Sequence, residues 1–122
     1  MTIERWTGSA VGRSRTVAFG DLVWTVSNAR TPGTDFEAQV AETLQFLDRA
    51  LKEAGSDRSR LLSVQVILSD IATRDAFDAL WRAWIGPDPR QWPQRAVFGG
   101  ALAEGLQLEV TATAARSVDG AV

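Results

Sequence analysis

"DFEAQVAETLQFLDRALKEAGSDRSRLLSVQVILSDI", residues 35–71, decides the fold because its apolar period changes partway along. Phe36, Val40, Leu44, Leu47, Leu51 and Ala54 recur at three- and four-residue steps, the spacing of one face of an amphipathic helix. Asp35 is placed to cap the start of that helix, Gln39 lies in its early turns, and Gly55 closes it. Glu42, Asp48, Arg49 and Lys52 read as its solvated face. Beyond the loop the period falls to two. Leu62, Val64, Val66 and Leu68 share one face of a strand, and Ser63, Gln65 and Ile67 share the other.

Working outward, "IERWTGSAVGRSRTVAFGD" (3–21) reads as one or two strands broken by Gly8 and Gly12. Gly20-Asp21 is a hairpin turn into a second strand, "LVWTVS" (22–27), rich in β-branched and aromatic residues. "NARTPGTD" (28–35) has loop chemistry, with Pro32-Gly33 as a turn. On the other side, "TRDAFDALWRAW" (73–84) predicts a second helix capped by Thr73, with Phe77, Leu80, Trp81 and Trp84 as its apolar stripe. Three prolines in "GPDPRQWP" (86–93) end it, and Arg95 opens the next strand. In the final strand, "LQLEVTATA" (106–114), Leu108, Val110, Ala112 and Ala114 face one way. Gln107, Glu109, Thr111 and Thr113 face the other, either toward water or toward the sheets of other subunits. The order β-β-α-β-α-β-β gives a two-layer α+β domain, a mixed sheet with both helices on one face. One domain spans 1–122, with a fraying tail from about residue 116.

Composition narrows the chemistry. The chain is 45% hydrophobic and 23% charged, which fits a soluble globular domain. With a formal charge of −2 and scattered arginines, it lacks the basic face expected for nucleic acid. No run of about 20 apolar residues could span a membrane, and residues 1–20 lack a signal peptide's apolar core. The expected location is cytoplasmic. The absence of Cys, His and Tyr excludes thiolate chemistry, disulfides and Ser-His or Cys-His pairs. It also removes the preferred zinc ligands. Phosphate-cradling glycine loops are missing. The one lysine, Lys52, sits beside Glu53 on a helix face rather than in the desolvated pocket a Schiff base requires.

Two polar residues then stand out. Arg95 follows Trp92-Pro93 at the mouth of a strand; its charge needs a partner, either a structural carboxylate or a ligand carboxylate. Glu109 is the lone acid in the final strand's polar stripe.

"PQRAV…LQLEVTATA" resembles the C-terminal signature of the Rid (RidA/YjgF) superfamily, the reactive-intermediate deaminases. "GDLVWT", the 35–71 stretch and "FDALWRAWIG" resemble further family segments, so the likeness covers roughly residues 10–115. The helix-loop-strand run and the Trp-rich second helix are most similar to a YoaB-like branch. The resemblance implies a chorismate-mutase-like fold and a homotrimer with a central barrel-like core and clefts between subunits. It implies cofactor-free hydrolysis of imines or enamines such as 2-aminoacrylate to a 2-keto acid and ammonia. Arg95 would then clamp the substrate carboxylate, a backbone group at Ala96 would orient the nitrogen, and Glu109 would position water or shuttle a proton.

The chain also departs from that pattern. Arg13 stands near the place of a usual tyrosine, and Val26, Ser27 and Asn28 replace the usual end of the second strand. With Trp92 as a contact, these changes point to an altered substrate. The alternatives are a specialised biosynthetic enzyme acting on another imine or lactam, and a non-enzymatic regulatory trimer that binds a small ligand. RNA cleavage, proposed for relatives, is disfavoured by the acidic balance and the lack of His.

Overall fold

The computed structural model describes residues 1–117. Strands β1 (Ile3–Thr7), β2 (Ser14–Phe19) and β3 (Leu22–Ser27) precede helix α1 (Phe36–Glu53). Strand β4 (Leu61–Leu68), helix α2 (Arg74–Ile85), and strands β5 (Gln94–Gly99) and β6 (Leu108–Ala115) follow. They form one mixed sheet in the order β1-β2-β3-β6-β4-β5, antiparallel except for the parallel pair β4 and β5 joined through α2. The N-terminal segment thus resolves into two strands, and Gly20-Asp21 makes the two-residue turn between Phe19 and Leu22.

The expected helix stripe meets the expected sheet face. Val40, Leu44, Leu47 and Leu51 of α1 and Phe77, Trp81 and Ile85 of α2 pack on Ala18, Val23, Val64, Val66, Leu68, Leu108, Val110 and Ala114. Asp35 caps α1 by accepting the Ala38 N–H at 2.7 Å. Gly55 follows the last turn at φ +89°, a conformation only glycine adopts without strain. The sheet's other face is open, with Trp24, Val26, Leu62 and Phe98 exposed along it.

Three expectations are corrected. Leu62 is not in the core: the β4–β6 register shifts between Leu61 and Ser63, so Leu61 turns inward and Leu62 outward. Thr73 makes no side-chain cap to α2; a short 3₁₀ turn (Ile71–Thr73) runs straight into the helix, and the Thr73 hydroxyl donates back to the Asp70 carbonyl at 2.6 Å. Arg116 does not open a fraying tail. It is buried, donates to the Gly20 carbonyl at 2.8 Å and pairs with Glu4 at 2.9 Å. The rest of the expected tail, 118–122, lies outside the described residues.

Loop 28–35 is tied to the 100–107 segment by a buried amide. Gln39 is fully buried; its Nε2 donates to the carbonyls of Gly105 (2.7 Å) and Thr34 (3.3 Å), and its Oε1 accepts the Gln107 N–H at 2.9 Å. Gly33 N–H adds a bond to the Gly105 carbonyl. A β-carbon on Gly105 would lie 2.7 Å from that of Pro32, so the two segments approach closely only because this residue is glycine.

Candidate functional site

Because β3 and β6 are neighbours, the chain leaving β3 passes beside the start of β6. That brings Asn28 to Glu109, with Asn28 Nδ2 donating to Glu109 Oε1 at 3.3 Å. A carboxylate only accepts, so the amide must present its nitrogen. Glu109 is half-buried at one end of the open sheet face. Around it lies a cleft of about 780 Å³. The β1–β2 turn supplies Arg13, the end of β3 supplies Val26, loop 28–35 supplies Arg30, and α1 supplies Phe46.

The remaining expected residues distribute as follows. Ser27 borders the cleft, yet its side chain is buried and its hydroxyl donates to the Thr43 carbonyl of α1 at 2.7 Å. Its role is to tie β3 to the helix, and Val26 takes the outward place. Arg95 lies elsewhere. It is paired with Val64, whose side chain is in the core, so Arg95 points to the helix layer. There its Nη2 donates to Asp78 Oδ1 at 2.6 Å. Its guanidinium carbon lies 5.6 Å from the Phe77 ring centre and 5.5 Å from that of Trp81. Val64 is in turn paired with Ala112, an odd number of positions from Glu109. Arg95 and Glu109 therefore sit on opposite faces of the sheet of one chain.

Arg95 borders a second cavity, about 750 Å³, between the end of α2 and loop 86–93, which Asp78, Trp81, Trp92 and Pro93 also line. Trp92 is exposed and donates from its indole nitrogen to the Gly86 carbonyl at 2.9 Å. Asp88, which caps the turn within this loop, is held below the usual carboxylate range by the Arg90 side chain and then by the Arg90 N–H. Ala96 is exposed on the open sheet face, opposite Gln65.

Sequence reasoning missed Asp78, Arg30 and Phe46. Asp78 reads as one more acid on an amphipathic helix. Phe46 carries a signal, since it is an aromatic residue off the α1 stripe and next to Leu47. Arg30 was hidden in loop chemistry. Its guanidinium lies 4.1 Å from the centre of the Phe46 ring. Among the described residues no three acidic side chains come together as a metal site would need.

Comparison with known proteins follows the same outline. The family model described as Endoribonuclease L-PSP matches residues 2–116. A RutC family protein of Haemophilus ducreyi is 29% identical over 82 residues, 66% of this chain and 68% of that one. An uncharacterized protein of Pseudomonas aeruginosa superposes with a TM-score of 0.85 at 29% identity, covering 95% of this chain and 100% of its own. NMB1025 of Neisseria meningitidis, a YjgF family member, gives 0.84 at 27% identity, with 96% and 97% covered.

Proposed function

The chain belongs to the Endoribonuclease L-PSP family, the YjgF/RidA group, and on that premise we propose that it hydrolyses carboxylate-bearing imines and enamines without a cofactor. The observation that carries this reading is Glu109: a half-buried carboxylate, oriented by Asn28, at the floor of an open cleft rimmed by arginine. An imine carbon is already electrophilic, so catalysis needs a held substrate and a placed water more than activation. Water adds to the C=N carbon while Glu109 takes its proton, giving a carbinolamine. Glu109 delivers that proton to the nitrogen to complete the carbinolamine, then carries the hydroxyl proton to the same nitrogen as the C–N bond breaks, so that ammonia leaves and a 2-keto acid remains. An enamine first takes a proton on carbon to become the imine.

The clamp is Arg95, and it comes from a second copy of the chain. Within one chain it lies across the sheet from Glu109, whereas the open face carries Trp24, Val26, Leu62 and Phe98 in contact with water. Apolar side chains gathered on one face favour cover by another subunit. A homotrimer built on these faces would set the Arg95 end of one protomer against the Glu109 cleft of the next. Nη2 of Arg95 is engaged by Asp78, while Nε and Nη1 form no hydrogen bond among the described residues. That leaves the Nε and Nη1 hydrogens of the guanidinium as donors for a substrate carboxylate.

The test is imine decay. An amino-acid oxidase generates imines from a panel of amino acids, and semicarbazide trapping reports how fast each disappears. Wild-type protein should accelerate decay and Glu109→Ala should lose at least about 100-fold of it, the ordinary size of a general-base contribution. Decay unchanged by wild-type protein over the whole panel would overturn the proposal, and equal rates for the two proteins would remove Glu109 from it.

A further inference from the structure

The charged groups bordering the Glu109 cleft are out of balance. Arg13, Arg15 and Arg30 line it against the single carboxylate of Glu109. Arg15 is neutralised by Glu53 at 2.9 Å. Arg13 and Arg30 have no carboxylate partner among the described residues. Glu42 of α1, which reaches the loop, does not pair with the Arg30 guanidinium. Glu42 Oε1 accepts the backbone N–H groups of Arg30 and Thr31, and Oε2 accepts the Thr31 hydroxyl. The backbone of Arg30 is thereby fixed, while its side-chain donors form no hydrogen bond among the described residues.

The side chain is braced as well. Its guanidinium lies over Phe46, which Arg49 approaches at 5.3 Å. Stacking holds the planar fork without using its N–H groups. A fixed backbone, a stacked guanidinium and unused donors at the rim of a cleft are the features of a site for an anion.

We infer that Arg30, helped by Arg13, forms a second anion-holding subsite in the Glu109 cleft, and that the preferred substrates carry a second carboxylate on the side chain. The α-carboxylate goes to Arg95 and the side-chain carboxylate to Arg30. The identity of the reacting group rests on the imine reading above; the preference for a second carboxylate does not.

The experiment therefore has a binding arm that needs no turnover. Calorimetry compares two dicarboxylic keto acids, oxaloacetate and 2-oxoglutarate, with the monocarboxylic pyruvate and 2-oxobutyrate. Wild-type protein should bind the dicarboxylates about 10-fold or more tightly, the worth of one charge-assisted carboxylate contact. Arg30→Gln should remove that advantage and leave the monocarboxylates within about 2-fold, and Arg13→Gln should reduce it in part. Arg49→Gln is the control: it stacks on the same ring without lining the cleft, and should change little. All three replacements are at exposed positions, and unchanged melting verifies the fold. Equal affinity for both classes, or a dicarboxylate preference that survives both Arg30→Gln and Arg13→Gln, would overturn the subsite. In the kinetic arm, imines from aspartate and glutamate should be hydrolysed faster than that from leucine, with Arg30→Gln reversing the order. If no imine is hydrolysed but the binding preference stands, the deaminase reading falls and the subsite survives.

Discussion

Replacing Gln39 with leucine keeps the side chain's approximate size and removes its hydrogen bonds. The cost can be worked group by group. Gly105 loses the Nε2 donor, but its carbonyl still accepts Gly33 N–H at 3.1 Å. Thr34 loses a donor at 3.3 Å and keeps Gln107 Nε2 at 2.9 Å. Only Gln107 N–H, which donates to Gln39 Oε1, is left without its partner. An orphaned buried donor costs about 1–3 kcal/mol, and the added apolar burial offsets part of it. The net loss should be about 2 kcal/mol, or roughly 8 °C in melting temperature for a domain of this size. Urea unfolding at fixed protomer concentration measures it, with an unchanged slope showing that only stability moved. Hydrogen exchange locates it, because protection should fall at the Gln107 amide and through loop 28–35. An unchanged midpoint with Gln107 still protected would refute the accounting and mean that a different group satisfies that amide.

Two further outcomes test the register and the arginine pair. Leu61→Ala should cost about 2–4 kcal/mol as a core truncation, whereas Leu62→Ala should leave protomer stability within about 1 kcal/mol and weaken assembly, read by urea unfolding and light scattering; the reverse order would place the bulge elsewhere. Asp78→Asn should cost about 1 kcal/mol, since both partners keep about a fifth of their side-chain exposure, and should tighten 2-oxobutyrate binding by freeing Arg95 Nη2; weaker binding would show that Asp78 does not compete with the ligand.

The layer structure was legible because periodicity is a property of neighbours along the chain. The α1 stripe, the Asp35 cap, the Gly20-Asp21 turn and the two-faced β6 all depend on local spacing, and all are found as read. The errors have other origins. Leu62 was misplaced by a bulge that arises in pairing with β6, where Leu61 meets Ala114 and Ser63 meets Thr113, far along the chain. Thr73 lost its cap role to a preceding turn, and Arg116 found partners at Gly20 and Glu4 near the other end of the chain. Leu62 and Arg116 depend on contacts distant in sequence, which spacing does not encode, whereas Thr73 fails locally because its hydroxyl is taken by the Asp70 carbonyl three residues back.

The site divides along the same line. Asn28, Arg13 and Glu109 meet because adjacent strand ends bring them together, but whether Arg95 joins them is a question of parity. A side chain's face is set by counting along a strand and then across the ladder, and one position changes the answer. The count from Arg95 through Val64 and Ala112 to Glu109 ends on the opposite face. A single protomer thus carries Glu109 with Asn28 on one face and Arg95 with Asp78 on the other, which on the imine reading are two half-sites. The imine reading consequently makes catalysis depend on assembly: dilution below the dissociation constant of the assembly should abolish hydrolysis while each protomer remains folded. A monomer that still turned over imines would shift the α-carboxylate clamp from Arg95 to the arginines already beside Glu109, Arg13 and Arg30.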